Sequence, residues 1–173
     1  MIRKAEENDV ACVAAIYEHI LDRPDCFDVI GWMRGIYPTY ATAQAAFDRG
    51  DLYVAEEGCG LVAAAIINRI QVDSYARCPW LFDAPDDRVL VLHTLVVDPA
   101  ASHRGVGSAF VAYYEAMAKE LGCTVLRMDT NVKNRPARTL YQRLGYREAG
   151  IVPCEFNGIP DVLLVCLEKS FEV

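Results

Sequence analysis

The feature that most constrains the fold is a near-continuous apolar run at residues 88–97, Arg-Val-Leu-Val-Leu-His-Thr-Leu-Val-Val. A strand with so little alternation is buried on both faces, so it is expected in the middle of a sheet. Asp98-Pro99 ends the run, an amphipathic helix is predicted over residues 105–121, and a second buried strand over residues 124–129. A strand, a helix and a strand in this order predict a parallel pair joined by a crossover.

The remaining segments predict hairpins and further helices around this crossover. The predicted order is β-α-α-β-β-β-α-β-α-β-β, which indicates an α/β fold with a central mixed sheet of about seven strands and about four helices on its two faces. The sequence has no internal repeat, low-complexity segment or linker, so residues 1–173 are expected to form a single domain. The other predicted strands are residues 2–5, 51–56, 61–70, 146–156 and 161–168. The other predicted helices are one that Asn8 or Asp9 caps and that ends at residue 21, and those over residues 39–49 and 134–144. Glycines and a proline indicate irregular chain over residues 25–40, and a polar loop with prolines is predicted over residues 71–87.

The overall composition argues against several classes of protein. Hydrophobic residues make up 53% of the chain and charged residues 24%, which is typical of a globular protein. No apolar run reaches about 18 residues and the polar N-terminus lacks the apolar core of a signal peptide, so no membrane association is expected. A net charge of −7 without a basic stripe argues against nucleic acid as a partner.

The cysteines indicate a reducing compartment. Their number is odd, their spacing is wide and no CxxC pair occurs, so neither a disulfide framework nor a zinc site is predicted. Most lie among apolar neighbours and are expected to be buried free thiols of a cytoplasmic protein. Cys154 is singled out because it is predicted close to the strand end that walls the substrate site. The seven cysteines are Cys12, Cys26, Cys59, Cys78, Cys123, Cys154 and Cys166.

A glycine-rich helix start follows the central strand, where residues 96–108 read Val-Val-Asp-Pro-Ala-Ala-Ser-His-Arg-Gly-Val-Gly-Ser. The first turn of a helix offers free backbone N–H groups, and glycines let a phosphate approach them closely. Arg104 adds a positive charge suited to phosphate. The segment predicts a pyrophosphate cradle, but close helix packing explains Gly105 and Gly107 equally well on their own. Neither the Walker pattern nor the dinucleotide fingerprint fits the segment.

A second motif decides between these alternatives. Residues 134–146 read Asn-Arg-Pro-Ala-Arg-Thr-Leu-Tyr-Gln-Arg-Leu-Gly-Tyr. Together with the glycine-rich segment they resemble the GNAT superfamily of acyl-CoA-dependent N-acyltransferases, whose two signatures are Gln/Arg-x-x-Gly-x-Gly/Ala and Asn-x-x-Ala-x-x-Leu-Tyr-x-x-x-Gly-Phe/Tyr. The later signature matches throughout, whereas Ser102 stands where the first has Gln or Arg. The resemblance is firm over residues 88–168, and the element order extends it to most of the chain.

The resemblance implies where acetyl-CoA binds. In the family, the strand before the phosphate loop splays from its neighbour, and its backbone binds the pantetheine arm. The corresponding backbone here belongs to Leu95, Val96 and Val97, and Asn134 is expected to contact the pantetheine region. The loop that would hold the pyrophosphate consists of Ser102, His103, Arg104, Gly105, Val106, Gly107 and Ser108. Because this cradle relies mainly on backbone N–H groups, binding is expected to survive the serine at its first position.

Two residues are the candidate catalytic groups. Tyr141 stands where the family places its general acid, which protonates the departing CoA thiolate. Its helical spacing is equally that of a core residue. His93 interrupts the apolar strand on a face predicted to include Leu95 and Val97, and similar stretches of some arylalkylamine-acetylating GNAT enzymes carry a histidine at this position. His93 is therefore predicted to accept the amine proton, directly or through water, and the alternative is a core histidine bonded to a backbone carbonyl.

The acceptor side is less specified. In the family, the connection between the first two helices and the last hairpin wall the acceptor site. Trp32, Tyr37, Tyr40 and Phe156 are expected to form an aromatic pocket for a hydrophobic amine, although simple loop packing is an alternative. Glu155 and Asp161 are candidates for holding an ammonium group or are surface residues.

The function predicted from these features is transfer of an acetyl group from acetyl-CoA to a primary amine by direct attack, without a metal. The alternative is a non-catalytic acyl-CoA-binding sensor or interaction module. The expected partner is a small-molecule or peptide amine, with no nucleic acid and no membrane. Dimerisation is common in the family, but no residue decides whether this chain forms a homodimer.

Overall fold

The structure, a computed structural model, describes residues 1–58 and 60–171, so Cys59, Glu172 and Val173 lie outside the described residues. The strands are β1 (Ile2–Lys4), β2 (Leu52–Glu57), β3 (Gly60–Asn68), β4 (Val89–Val97), β5 (Val125–Asn131), β6 (Arg147–Phe156) and β7 (Ile159–Ser170). The helices are α1 (Asp9–Leu21), α2 (Cys26–Val29), α3 (Tyr40–Arg49), α4 (Val106–Glu120) and α5 (Arg135–Arg143), with 3₁₀ turns at Asp73–Arg77, Asp86–Arg88 and Pro99–Ala101. None of these helices has both the length and the apolar character needed to cross a bilayer.

The strands form one sheet in the order β1-β2-β3-β4-β5-β7-β6. The pair β4–β5 is parallel and the other neighbouring pairs are antiparallel, so the predicted seven-stranded mixed sheet and its central crossover are confirmed. One element was not predicted. The one-turn helix α2 forms in the segment between residues 25 and 40, where glycines and a proline indicated irregular chain.

Helices cover both faces of the sheet, as predicted. On one face, α1 and α3 bury Val13, Tyr17 and Ala43 against β2 and β3. On the other face, α4 buries Phe110 and Tyr114 against β4 and β5. The amphipathic spacing of each helix gives it one apolar stripe, and burying that stripe on the sheet excludes water from the core on both sides.

The central strands separate part-way along their length. The parallel ladder runs from Val89–Val125 to Leu92–Met128 and stops there. Beyond this point, the edge of β4 that faces β5 has no strand partner among the described residues, which confirms the predicted splay. The unpaired backbone groups of this edge are free to bind another molecule.

A bulge in β4 corrects one prediction about His93. The β3–β4 register moves from Ile66–His93 to Ala64–Val96, and Thr94 has a φ of 50°. The extra residue reverses the alternation of side chains along the strand. Leu95 therefore packs with the core on the α4 side, whereas His93 lies on the α3 side. The prediction that His93 shares a face with Leu95 and Val97 is wrong, because uniform alternation fails at a bulge.

The segment of residues 69–88 is fixed on the sheet beside β5 and β7. Glu168 is fully buried and accepts hydrogen bonds from the backbone N–H groups of Leu81 (2.9 Å) and Phe82 (3.2 Å). Arg127 is also buried and donates to the carbonyl of Phe82 at 2.9 Å. Charge-assisted bonds of this kind are stronger than neutral ones, so they hold a segment that the sequence indicated only as a polar loop.

Candidate active site

Two cavities meet where β4 and β5 separate. The first, which we name the splay cleft, has a volume of about 820 Å³ including its opening and is lined by Thr94–Val97, Asp129–Asn131 and the Tyr141 face of α5. The second, which we name the α3 pocket, has a volume of about 1180 Å³ including its opening. It is lined by Ile36, Tyr37, Thr42, Ala45, Arg49, Ile66, Asn68, Ile70, Val72, His93, Thr94, Asp129, Phe156 and Asn157. Thr94, Asp129 and Phe156 line both cavities, so they form the wall at which contents of the two would meet.

The predicted phosphate loop lies at the N-terminus of α4. Gly105 has a φ of 80°, which favours glycine, and α4 begins at the next residue. The first helical bond runs from Ala109 N–H to the Gly105 carbonyl, so the N–H groups of the first turn have no helical acceptor. At Gly107, a β-carbon would come within 3.4 Å of the Leu140 side chain. The turn is therefore close-packed on α5 and still presents free donors, which fits a pyrophosphate group.

The side chains of this loop are exposed. Ser102 and His103 face solvent. Arg104 is also exposed and donates to the carbonyl of Ala100 at 3.0 Å and to the Glu57 carboxylate at 3.4 Å. Because these contacts lie within the loop and its immediate surroundings, the guanidinium stays beside the helix start where an anion would bind.

Tyr141 lies on α5 with its side chain directed into the splay cleft. Its ring packs edge-on against Tyr146 at a centroid distance of 6.2 Å. Its hydroxyl makes no hydrogen bond within the described part of the chain. Burial raises the pKa of Tyr141 above its usual value, so the phenol is protonated at neutral pH. The structure thus combines both interpretations of this residue, because Tyr141 is buried and still lines the cleft.

Asn134 positions the helix that carries Tyr141. Its side-chain oxygen accepts from Ala137 N–H at 3.3 Å, and its amide donates to the Thr130 hydroxyl at 3.0 Å. The residue therefore caps α5 and ties the helix to the end of β5. Asn134 also lines the splay cleft, where it was predicted to contact the cofactor.

His93 lies in the α3 pocket. Its Nε2 atom lies 3.1 Å from both the Asn68 side-chain oxygen and the Ile70 carbonyl oxygen. Both partners accept, so Nε2 carries the proton and Nδ1 has the free lone pair. Burial lowers the pKa of His93 to about 4, and the bond to Ile70 offsets part of that effect. The imidazole is neutral at physiological pH, and its basicity is well below that of an ordinary histidine.

Asp129 is the residue at this site to which the sequence assigned no role. It is the first residue of β5 beyond the ladder with β4, and it lies on the wall shared by the two cavities. The hydroxyl of Tyr75 donates to its Oδ2 at 2.7 Å, and Oδ1 makes no hydrogen bond within the described residues. Burial raises the pKa of Asp129 to about 6, and the bond from Tyr75 offsets part of that rise. An acidic residue at the end of the strand predicted over residues 124–129 was the available sequence signal.

Three of the four aromatic residues predicted for the acceptor side form a row of ring contacts centred on Tyr37. The rings of Trp32 and Tyr37 are 5.9 Å apart, and those of Tyr37 and Phe156 are 5.2 Å apart. The Tyr37 hydroxyl is hydrogen bonded to Thr94 at the bulge. This contact places the aromatic group beside the shared wall of the cavities. Tyr40 lies apart, exposed, with its hydroxyl donating to Gln44.

The remaining candidates lie outside the two cavities. Glu155 and Asp161 are exposed. Cys154 is half-buried in a separate depression beside Glu155. Burial raises the pKa of the Cys154 thiol, so the thiolate needed for nucleophilic chemistry is disfavoured. The buried cysteines are Cys26, Cys78, Cys123 and Cys166, Cys12 is exposed, and all six described cysteines are free.

Comparison with known proteins identifies the family. The chain matches the acetyltransferase (GNAT) family over residues 14–146. It belongs to that family. It is also 31% identical over 75 residues to an uncharacterized N-acetyltransferase from Methanocaldococcus jannaschii. That match covers 43% of this chain and 33% of the relative, so it spans about a third of the relative's length.

Solved structures agree on the fold of this GNAT chain. An acetyltransferase of the GNAT family from Streptococcus agalactiae has a TM-score of 0.80 at 20% identity, covering 100% of this chain and 96% of that one. A protein from Salmonella typhimurium solved with its cofactor acetyl-CoA has a TM-score of 0.67 at 19% identity, covering 98% and 92%. At these identities the likeness establishes the fold.

Proposed function

We propose that this chain is an N-acetyltransferase that moves the acetyl group of acetyl-CoA to a primary amine by direct attack. The observation that carries the proposal is the arrangement at the splay. A cleft with an unpaired strand edge meets a second pocket, the carboxyl group of Asp129 lies on their shared wall, and the protonated phenol of Tyr141 lines the cleft. The family to which the chain belongs supports acetyl transfer in general.

In the proposed complex, the cosubstrate lies in the splay cleft. The edge of β4 that faces β5, at Leu95, Val96 and Val97, binds the pantetheine arm, and the first turn of α4 binds the pyrophosphate. A backbone N–H of Leu95 or Val97 stabilises the negative charge that develops on the thioester oxygen. The six free cysteines of the described residues fit the cytoplasmic location that we propose for the enzyme.

Asp129 is the proposed general base, in place of His93. A base works best when its pKa lies near the operating pH, and a pKa of about 6 meets that condition better than a pKa of about 4. Asp129 also lies on the wall shared by both cavities, where the amine would reach the thioester, whereas His93 lines the α3 pocket. His93 then acts as a neutral wall residue.

The proposed reaction forms one bond, breaks one bond and transfers two protons. The amine nitrogen attacks the thioester carbonyl carbon, a C–N bond forms and the C–S bond breaks. The proton lost by the nitrogen goes to the carboxylate of Asp129, and the hydroxyl of Tyr141 gives its proton to the departing sulfur. Exchange with solvent then restores both groups, and the products are an N-acetylated amine and free CoA thiol.

The experiment that tests this proposal is a thiol-release assay with acetyl-CoA and a panel of amines, comparing wild type with Tyr141→Phe. We expect amine-dependent release of CoA that falls about 10²-fold in the variant, since a general acid typically contributes 10²–10⁴-fold. Acetyl-CoA binding, measured by calorimetry, should be unchanged. Binding without release for every amine would favour the alternative of a non-catalytic acyl-CoA-binding module.

A further inference from the structure

The α3 pocket has a cationic side chain on one wall and an anionic side chain on another. Asp129 lies on the wall shared with the splay cleft, and Arg49 comes from the last turn of α3. Arg49 is the single Lys or Arg among the described residues that line this pocket, and His93 is neutral. An amine held at Asp129, as the proposed function requires, would therefore share the pocket with one fixed positive charge.

The side chain of Arg49 is held in place by hydrogen bonds that leave some of its N–H donors unpaired within the described residues. Its Nε and Nη2 atoms donate to the two oxygens of Asp51 at 2.9 and 3.2 Å. Asp51 is buried and also accepts from the Asn68 amide at 2.8 Å. Nη1 makes no hydrogen bond within the described residues, and 45% of the side chain is exposed. A guanidinium has five N–H donors, so the edge formed by Nη1 and Nη2 remains free for a second carboxylate.

The rest of the pocket is largely apolar. Ile36, Ile66, Ile70 and Val72 contribute aliphatic side chains, and Tyr37 and Phe156 contribute aromatic rings. A pocket of this kind favours a substrate with an apolar portion, and its few polar groups set the orientation. A fully apolar amine would leave the free edge of Arg49 without a partner.

We propose that the α3 pocket binds hydrophobic amino acids as acceptors, with the amine at Asp129 and the carboxylate on the free edge of Arg49. This inference rests on the proposed acetyl transfer and names the acceptor class for it. A peptide N-terminus carries an amide where a free amino acid carries its carboxylate, so peptides are expected to bind less well.

The test compares matched acceptors in the wild type and two Arg49 variants. The probes are L-leucine, L-methionine and L-phenylalanine, with their amides and the corresponding decarboxylated amines. Arg49→Gln should raise KM for the amino acids at least tenfold and change KM for the amides and amines less than twofold, because a charge-assisted bond is lost with the acids alone. For the amino acids, KM of Arg49→Lys should lie between the values of wild type and Arg49→Gln. Arg34→Gln, which breaks two exposed ion pairs outside this pocket, should change KM for neither the amino acids nor the amides and amines.

Binding measurements separate this inference from the proposed function. Titration of CoA-saturated protein with each probe should give tighter binding of the acid than of its amide, and that preference should vanish in Arg49→Gln. Equal binding of acid and amide, or an equal loss for both in a variant that folds normally, overturns the inference. Carboxylate-dependent binding without turnover of any probe contradicts acetyl transfer and leaves the binding assignment standing. Preference for leucyl-glycine over leucine also overturns it, in favour of a peptide acceptor.

Discussion

The splay cleft and the α3 pocket border the same three residues but are built in different ways. The cleft lies along the unpaired backbone edge of β4, and side chains from both ends of the chain, including α5, complete its lining. The pocket consists of side chains from α3, β3, β4 and the turn after β6, which are distant in sequence. Backbone groups are present whatever the side chains are, whereas a pocket of side chains changes with each substitution. Substitutions on the pocket side and at the shared wall should therefore have larger effects than a substitution that leaves the backbone of the phosphate loop in place.

The largest expected effect is at the shared wall. Asp129→Asn should lower kcat about 10³-fold, because removal of a general base typically costs 10²–10⁴-fold. His93→Gln should lower kcat less than about tenfold, since a neutral imidazole of low pKa would contribute little as a base. Steady-state kinetics of the two variants with one acceptor decide whether Asp129 or His93 is the general base. A greater loss of kcat in His93→Gln than in Asp129→Asn would indicate that His93 is the base.

Asp129→Asn should also raise the free energy of unfolding while it removes activity. The folded pKa of Asp129 is about 6 and the ordinary value is 3.8, so its contribution to stability is fully present below pH 3.8 and is lost as the pH rises through 6. The asparagine side chain of the variant carries no charge, and its oxygen can still accept from Tyr75. Urea unfolding at pH 8 should therefore give Asp129→Asn a free energy of unfolding about 1–3 kcal/mol above wild type. The gain should disappear near pH 4, and a loss at pH 8 would contradict the burial of this charge.

Contiguous motifs predicted the cleft well. The apolar run at residues 88–97 placed β4 at the centre of the sheet, and the family signatures placed Tyr141 and Asn134 beside the splay. Each of these predictions depended on residues near one another in sequence. The predicted face of His93 was wrong because one bulged residue, Thr94, reverses the alternation of side chains along β4. No residue in the apolar run indicates a bulge.

Asp129 and Arg49 could not be assigned from the sequence for a different reason. Asp129 acquires its pKa from burial at the splay and from Tyr75, which lies 54 residues earlier in a segment predicted as loop. Arg49 resembles any basic residue at the end of a helix until Asp51 and the neighbouring strands fix its orientation. Such roles depend on tertiary contacts, which periodicity does not encode.

A smaller effect is expected for the partner of Asp129. Tyr75→Phe removes the hydrogen bond that lowers the pKa of Asp129, so this pKa should rise above about 6. The low-pH limb of the kcat/KM profile should then shift to higher pH, with activity reduced several-fold at pH 6.5 and close to wild type at pH 8.5. Tyr113→Phe, on α4 and outside both cavities, is the matched control. A uniform loss at every pH would mean that Tyr75 supports structure alone.

The smallest effect is expected at the first position of the phosphate loop. Ser102→Ala should change the Kd for acetyl-CoA less than about twofold, because the free N–H groups at the start of α4 are backbone donors that the substitution leaves intact. Gly107→Val is the contrasting variant, since a β-carbon there already comes within 3.4 Å of Leu140 and larger branches would displace the turn. Calorimetric titration of both variants measures the difference. A large loss in Ser102→Ala would show that the serine hydroxyl itself holds the phosphate, and the contrast between a backbone cleft and a side-chain pocket would then fail at its clearest point.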